Sequence, residues 1–361
     1  MIIYISMLIV IFLMYCVERI IKDYKGIKKM RALKVVAFFT FGYIIFWTGI
    51  RNAFVDTAAY IRMFQSASWE SLPFLEISWD SGWGFDMLMI IFKTFISQNY
   101  HVWLMFLAIV SGTCVAVIFW KYSVNYYYTV FLFMAMTTFT WLMNGIRQFL
   151  AAAIIFACTP LLEKKKWLPY CLVVLLCVTL HGSCLIMLPI CFFVQGKPWT
   201  KKTFMIIVGV CLVLMFTSQF TNIMDSMLEE TKWATMSEDY ISDDGVNPLR
   251  VLVYSVPVVL AFIGKSRLKD EPVCIDIFTN MSIFTVSLYA IGMVTNGLMI
   301  GRLPIYTQMY GYILLPYTIE RCFNLKSRRI LYLLSIICYL FYFYLMSRGF
   351  YYSSDFTGRI F

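Results

Sequence analysis

Charge is what this sequence has least of. Only 14% of its 361 residues are Asp, Glu, Lys or Arg, against about 25% in soluble globular domains. No two of its 11 cysteines stand in CxxC spacing, so neither a metal site nor a disulfide framework is expected. Most cysteines (Cys16, Cys114, Cys158, Cys171, Cys177, Cys211) lie inside apolar runs, where a thiol behaves as a small hydrophobe. P-loop, GxSxG, HExxH and dinucleotide fingerprints are all missing, which argues against nucleotide-driven transport and the common hydrolase classes. There is no short internal repeat and no low-complexity tract. The first residues carry no basic segment and no small-residue cleavage site, so 1–17 is expected to be a retained span rather than a cleaved signal peptide.

What is present in excess is apolar side chain: 61% of the residues are hydrophobic and 18% aromatic. A water-facing surface cannot accommodate that many, and at roughly 20 residues per bilayer crossing the length allows on the order of a dozen spans. Spans in lipid are helices, because an open strand edge would leave backbone groups unpaired. The expected fold is therefore all-α, a polytopic integral membrane protein of about twelve transmembrane helices forming a single transmembrane domain over 1–361. The apolar runs fall at 1–18, 35–50, 101–120, 126–143, 146–162, 167–181, 183–195, 203–220, 250–264, 273–295, 302–320 and 330–346. The pair 167–181 and 183–195 is short and holds Pro169, Gly182 and Pro189, which suits two half-helices meeting at His181.

Orientation follows from the basic residues, which concentrate in cytoplasmic loops. Lys22, Lys25, Lys28, Lys29, Arg31 and Lys34 form one such loop; Lys164 to Lys166, Lys197 with Lys201 and Lys202, Lys265 with Arg267 and Lys269, and Arg321 with Lys326, Arg328 and Arg329 mark four more, and Lys121 a weaker sixth. The assignment coheres only if the apolar stretch 83–97, which carries Asp86 and Lys93, does not cross and lies as a helix on the outer membrane surface. It then places 21 basic and 7 acidic residues in the cytoplasm against 9 basic and 13 acidic outside. The alternative, in which 83–97 crosses and another run does not, inverts the following loops against their charges. Two long outer segments remain, 51–100 and the acidic 221–249, and long loops are often functional.

Candidate chemistry sits at the outer ends of the spans. Arg51, Arg147, Arg250 and Arg302 each stand there, and guanidinium forks converging on one outer cavity would suit a dense anion such as phosphate or diphosphate. The bland alternative is that each anchors its helix at headgroup level. Arg51 and Arg147 lie in polar clusters, 48–51 and 144–148, that a simple anchor does not require. His181, one of two histidines, could take a proton from a hydroxyl or be a satisfied interfacial imidazole; His101 reads as interfacial. Asp56 could orient Arg51 or act as a base, and Asp80 caps the helix that follows it. The acids of 221–249 read as a solvated face without a metal-ligand pattern. Trp69, Trp79, Trp83, Trp103, Trp233 and Tyr240 fit an interfacial aromatic belt, and an indole can also stack on a sugar ring.

The series Gly49-Ile50-Arg51, Asp56, Tyr60, then 80–83 (Asp-Ser-Gly-Trp), then Asn144-Gly145-Ile146-Arg147-Gln148, then Leu180-His181-Gly182-Ser183, then Arg302 near Tyr306 resembles the EpsG family, Wzy-like polysaccharide polymerases of bacterial capsule and exopolysaccharide clusters. The likeness runs over about 40–310, with Asp80 its loosest position, since many relatives carry Glu there, and it is compatible with a GT-C-like architecture. It implies transfer of a growing glycan from undecaprenyl diphosphate to the sugar hydroxyl of a lipid-linked repeat unit, at the outer face of the bacterial cytoplasmic membrane. The partners implied are that undecaprenyl-diphosphate-linked oligosaccharide, membrane lipid, a flippase and a chain-length regulator, with no nucleic acid and no cofactor or metal. His181, Asp56 and Arg147 are the implied catalytic residues. Arg51, Arg302, Arg250, Gln148, Asn144, Asp80 and Tyr60 are the implied substrate-binding ones. Rival readings are an O-antigen-ligase-like glycosyltransferase, a membrane acyltransferase using His181, and, from another class, a lipid-linked oligosaccharide flippase.

Overall fold

Helices dominate the computed structural model, which describes residues 2–26, 32–79, 81–216, 245–295, 300–356 and 358–359. The calls on Asp80, and on most of the acidic segment 221–249 with Trp233 and Tyr240, lie outside the described residues. The chain packs as two compact units, one formed by Met1–Leu188 with Leu325–Phe361 and the other by Pro189–Asn324.

Four helices are each long and apolar enough to cross a bilayer alone: Ile2–Tyr24, Tyr100–Tyr122, Val273–Val294 and Leu325–Met346. The remaining apolar runs are shorter helices, and the sequence shows why. The run 126–143 stops being α-helical at Ala135, where Thr137 takes a left-handed φ of 59° and a 3-10 turn Thr138–Leu142 follows. The run 146–162 ends its main helix at Ala157 and restarts at Thr159 with Pro160 in the first turn, where a missing backbone N–H costs nothing. Helix Trp167–Val178 and the segment Gly182–Phe193 are separated by a break at 179–181, the two short pieces expected to meet at His181.

In the first unit, α1 (Ile2–Tyr24) packs against α2 (Lys34–Gly49) and α6 (Tyr126–Ala135), α2 against α5 (Tyr100–Tyr122), and α5 against α7 (Ile146–Ala157), which also meets helix Trp167–Val178. Lipid removes most of the hydrophobic drive for helix association, so small residues that permit close approach matter more. A Cβ on Gly112 of α5 would lie 2.4 Å from Ile45 of α2, and one on Gly49 of α2 would lie 2.4 Å from the Met105 sulfur. The interior is aromatic: Phe133 packs on Phe41 at 5.4 Å and on Phe119 at 5.9 Å. Near the Lys-rich end of α1, the buried carboxylate of Glu18 is satisfied by Lys22 at 2.7 Å, the Leu33 N–H and the Tyr127 hydroxyl.

Between α2 and α5 the chain forms α3 (Thr57–Ser66) and α4 (Trp83–Phe95). Thirteen residues reach only about 20 Å, short of the ~30 Å hydrocarbon core. Phe85, Met89 and Phe92 of α4 bury themselves with Phe64 of α3 on the first turns of α5. Their common floor is Trp103, fully buried, with the Phe64 ring stacked 5.9 Å away and that of Phe92 at 5.0 Å. Trp103 is thus a core residue rather than a member of an interfacial belt, whereas Trp69 and Trp79 are half-exposed.

A small sheet qualifies the all-α expectation. Residues Arg51–Ala53 (β1) pair antiparallel with Ser353–Ser354 (β2), which pairs with Gly358–Arg359 (β3). The tail is pinned further by the Tyr352 hydroxyl on the Trp47 carbonyl at 2.6 Å.

In the second unit, helices Pro248–Ile263, Val273–Val294 and Gln308–Cys322 pack on one another. A buried polar core joins them, with the Tyr254 and Tyr312 hydroxyls 2.9 Å apart, the Tyr289 hydroxyl on Gln308 at 2.6 Å and Thr285 on Thr307 at 2.8 Å. Lys197 pairs with the nearly buried Asp276 carboxylate at 3.0 Å.

Candidate site at the first turn of α7

The sequence Asn144-Gly145-Ile146-Arg147-Gln148 makes an abrupt entry into α7. Gly145 takes φ 63°, and a Cβ there would lie 2.8 Å from the Trp141 ring, so both backbone and space call for glycine. Glycine has no side chain with which to cap the helix, and the cap comes from far away. Asp56, at the start of α3, accepts the Gly145 N–H through Oδ2 at 3.1 Å, a favourable place for a negative charge beside a helix N-terminus. The Tyr60 hydroxyl, one turn on, lies by the first backbone N–H groups of α7, those of Ile146 and Arg147, and burial raises its pKa above the ordinary phenol value. Asn144 is half-buried, its own N–H closing onto Thr140.

Successive residues of a helix point about 100° apart, and Arg147 and Gln148 serve two neighbours accordingly. The Arg147 guanidinium stands 3.3 Å from the Asp86 carboxylate of α4, 3.4 Å from the Met63 sulfur, and over the Phe85 ring at 5.2 Å. It retains access to solvent, its side chain being 22% exposed. Gln148 is nearly buried and donates through Nε2 to Ser183 Oγ at 3.1 Å.

Ser183 Oγ lies 2.8 Å from His181 Nδ1, and the Ser183 backbone N–H also points at Nδ1, at 3.4 Å. His181 thereby caps the 3-10 turn Gly182–Ile186. A backbone N–H can only donate, so Nδ1 is an acceptor and the neutral ring carries its proton on Nε2. In that tautomer the ring carries an N–H at Nε2 and keeps its basic lone pair at Nδ1, facing Ser183.

The bend before α4 completes the site. Gly82 has φ 74°, and a Cβ on it would lie 3.0 Å from Arg147 Nη1 and 3.2 Å from the Leu180 carbonyl. Gly84 donates its N–H to the Thr179 carbonyl at 2.8 Å, with no room for a side chain against Thr179. Four segments far apart in sequence, 56–63, 82–86, 144–148 and 179–183, therefore meet at one place.

Arg51 behaves differently from the expectation that it presents its charge to an outer cavity. It is 1% exposed, with Nε on Thr57 Oγ1 at 3.0 Å and Nη1 on the Thr48 carbonyl. Burial lowers its pKa to about 10, still charged at neutrality. Asp56 does not orient it; that carboxylate is engaged with Gly145, and Thr48 and Thr57 hold the guanidinium instead. Arg250 and Arg302 belong to the second unit. Arg250 opens helix Pro248–Ile263 behind the Asn247 cap, its guanidinium 5.7 Å from the Tyr289 ring, and Arg302 is exposed in the 3-10 turn Ile300–Tyr306. His101 stands 3.8 Å from Asp355 of the tail.

Sequence reasoning did not assign roles to Asp86, Ser183 or Phe85. The signal for Asp86 was there, a lone carboxylate in the first turn of a helix whose one other charge is Lys93 in its last turn.

No curated protein and no solved structure matches this chain. The model of the EpsG family matches residues 34–356. With every described motif segment inside that span, the chain belongs to the EpsG family, multi-pass membrane proteins related to the Wzy-like polysaccharide polymerases.

Proposed function

We propose that this protein joins oligosaccharide repeat units carried on undecaprenyl diphosphate, at the outer face of the bacterial cytoplasmic membrane, in a chain that crosses about twelve times. The observation that carries the reading is the meeting of Arg147, Asp56, Gln148 and His181 around the first turn of α7. In the reaction an acceptor sugar hydroxyl attacks the anomeric carbon of the donor glycan, the bond from that carbon to the phosphate oxygen breaks, and undecaprenyl diphosphate leaves.

Negative charge grows on the diphosphate as that bond breaks, and preorganised donors in a site of low dielectric stabilise it. Arg147 supplies a permanent cation with a planar fork, partly exposed and opposed among the described residues by the Asp86 carboxylate, which an incoming diphosphate can replace. His181 adds its Nε2–H as a donor to a phosphate oxygen. Asp56 takes the acceptor hydroxyl proton, since the lone pair of His181 at Nδ1 is turned toward Ser183. Gln148 holds Ser183 and through it His181. Tyr60 and Asn144 line the turn, Arg51 holds Thr57 at the start of α3 beside Asp56, and Arg250, Arg302 and Asp80 remain substrate-binding proposals from the resemblance.

The test is deletion of the gene, complementation with wild type or Arg147→Ala, and analysis of both surface polysaccharide and the lipid-linked pool. Single repeat units on lipid at the outer surface, in the deletion and in the variant, support polymerisation. Repeat units trapped inside would indicate a flippase, and full-length polymer lacking acyl groups an acyltransferase; either overturns the proposal.

A further inference from the structure

A groove of about 360 Å³ runs between α2 and α5, sharing no residue with the site at α7, lined by Lys34, Ala37, Phe38, Gly42, Val117 and Trp120 among others. Its size falls in the range of small-ligand pockets, about 300–1,000 Å³. The two helices elsewhere press together so closely that Gly49 and Gly112 admit no Cβ, yet a Cβ on Gly42 would meet nothing within 4 Å. Gly42 is therefore not a contact glycine; its missing side chain leaves the groove open.

The lining is apolar along its length and cationic at one end. Lys34 opens α2, and Gly42 and Ile45 lie eight and eleven residues further on, about 12 and 16 Å along the helix at 1.5 Å per residue. That is the depth of one leaflet, half of a ~30 Å hydrocarbon core. At the mouth, Lys34 Nζ sits 5.1 Å from the Trp120 ring centroid, and Trp120 Nε1 donates to the Ala32 carbonyl at 2.8 Å. A tryptophan fixed at headgroup level beside a lysine marks the membrane–water boundary. Lys34 makes no ion pair among the described residues. It closes the basic run from Lys22, which charge asymmetry assigns to the cytoplasm.

We infer that this groove binds an anionic phospholipid of the cytoplasmic leaflet, one acyl chain lying along Ala37, Gly42 and Val117 and the phosphate against Lys34. The charge at the mouth selects the headgroup, and the depth of the groove selects a chain that enters from the same leaflet.

The experiment uses the full chain in nanodiscs of equal phosphatidylglycerol and phosphatidylcholine, with a photoactivatable acyl chain on one lipid at a time and crosslinks mapped by peptide mass spectrometry. Phosphatidylglycerol should label 34–45 and 113–126 in preference to phosphatidylcholine. Lys34→Glu should cut that labelling roughly fivefold or more, about what one basic residue contributes at an anionic surface, and Lys34→Arg should retain it. Gly42→Leu should block labelling by both lipids without lowering the melting temperature, since its side chain enters open space. Equal labelling by the two lipids, or labelling unchanged in Lys34→Glu and Gly42→Leu, overturns the inference. Glycan polymerisation is not the readout, so failure here leaves the reading of the α7 site untouched.

Discussion

Arg147 and Asp86 face one another at 3.3 Å across the junction of α7 and α4, both partly open to solvent. An ion pair so placed contributes little to stability, about 0–1 kcal/mol, but it stores a cation of fixed direction over the Phe85 ring. Arg147→Lys keeps the charge and loses the planar fork that grips two oxygens at once. The expected outcome is normal expression with polymer abolished, read on a gel of surface polysaccharide. Asp86→Asn should by contrast leave polymer present with altered chain length. Wild-type chains from Arg147→Lys would remove this arginine from the mechanism.

Asp56 offers a cleaner separation of roles. Asparagine at 56 can still accept the Gly145 N–H through its amide oxygen, so the entry to α7 survives, while the capacity to hold a proton is gone. A positioned base contributes about 10²–10⁴-fold, and Asp56→Asn should lower polymerisation by that order with the melting temperature little changed. Asp56→Ala should lose both. Activity retained in Asp56→Asn would reduce Asp56 to a cap.

Much of this architecture is legible in the sequence, because membrane insertion writes itself as apolar runs, and the runs at 1–18, 101–120, 273–295 and 330–346 match helices long enough to cross. The motif segments were legible too, as polar clusters where lipid would permit none. Their partners were not. Asp56 finds Gly145, and Arg147 finds Asp86, across 89 and 61 positions of chain, and nothing local names the partner that each carboxylate meets. Arg51 reads as an exposed anion binder from its position after a span. The Thr48 carbonyl and Thr57 hydroxyl that hold it are groups any sequence carries, and its burial, with the tail strand set opposite it, depends on contacts 303 residues away. The breaks at Thr137 and Cys158 were hidden because apolar composition continues straight through them.

The bend before α4 is a second place where a small change should be felt. A Cβ on Gly84 would fall 2.2 Å from Thr179 Oγ1 and 3.0 Å from the Thr179 carbonyl. Overpacking typically costs about 1–3 kcal/mol. Gly84→Val should lower the melting temperature and disturb the contact between α4 and the residues before His181. Adding Thr179→Ala should restore only part of the loss, because the backbone carbonyl still obstructs. Full stability in Gly84→Val would mean that the 82–84 bend is not seated on residue 179.

Ser183 tests the tautomer of His181. Its hydroxyl receives Gln148 Nε2 and faces Nδ1, while its backbone N–H points at the same nitrogen. Ser183→Ala removes the hydroxyl and keeps the backbone donor, so the Nε2–H form persists but is held less firmly. Polymerisation should fall about tenfold, equivalent to about 1.4 kcal/mol. His181→Gln, whose amide can still donate a hydrogen bond but cannot accept a proton near neutrality, should retain measurable polymer, whereas His181→Phe should lose it. If His181 were the base, glutamine would be as inactive as phenylalanine. Equal inactivity of the two variants, with both folded, would return the proton-accepting role to the imidazole and take it from Asp56.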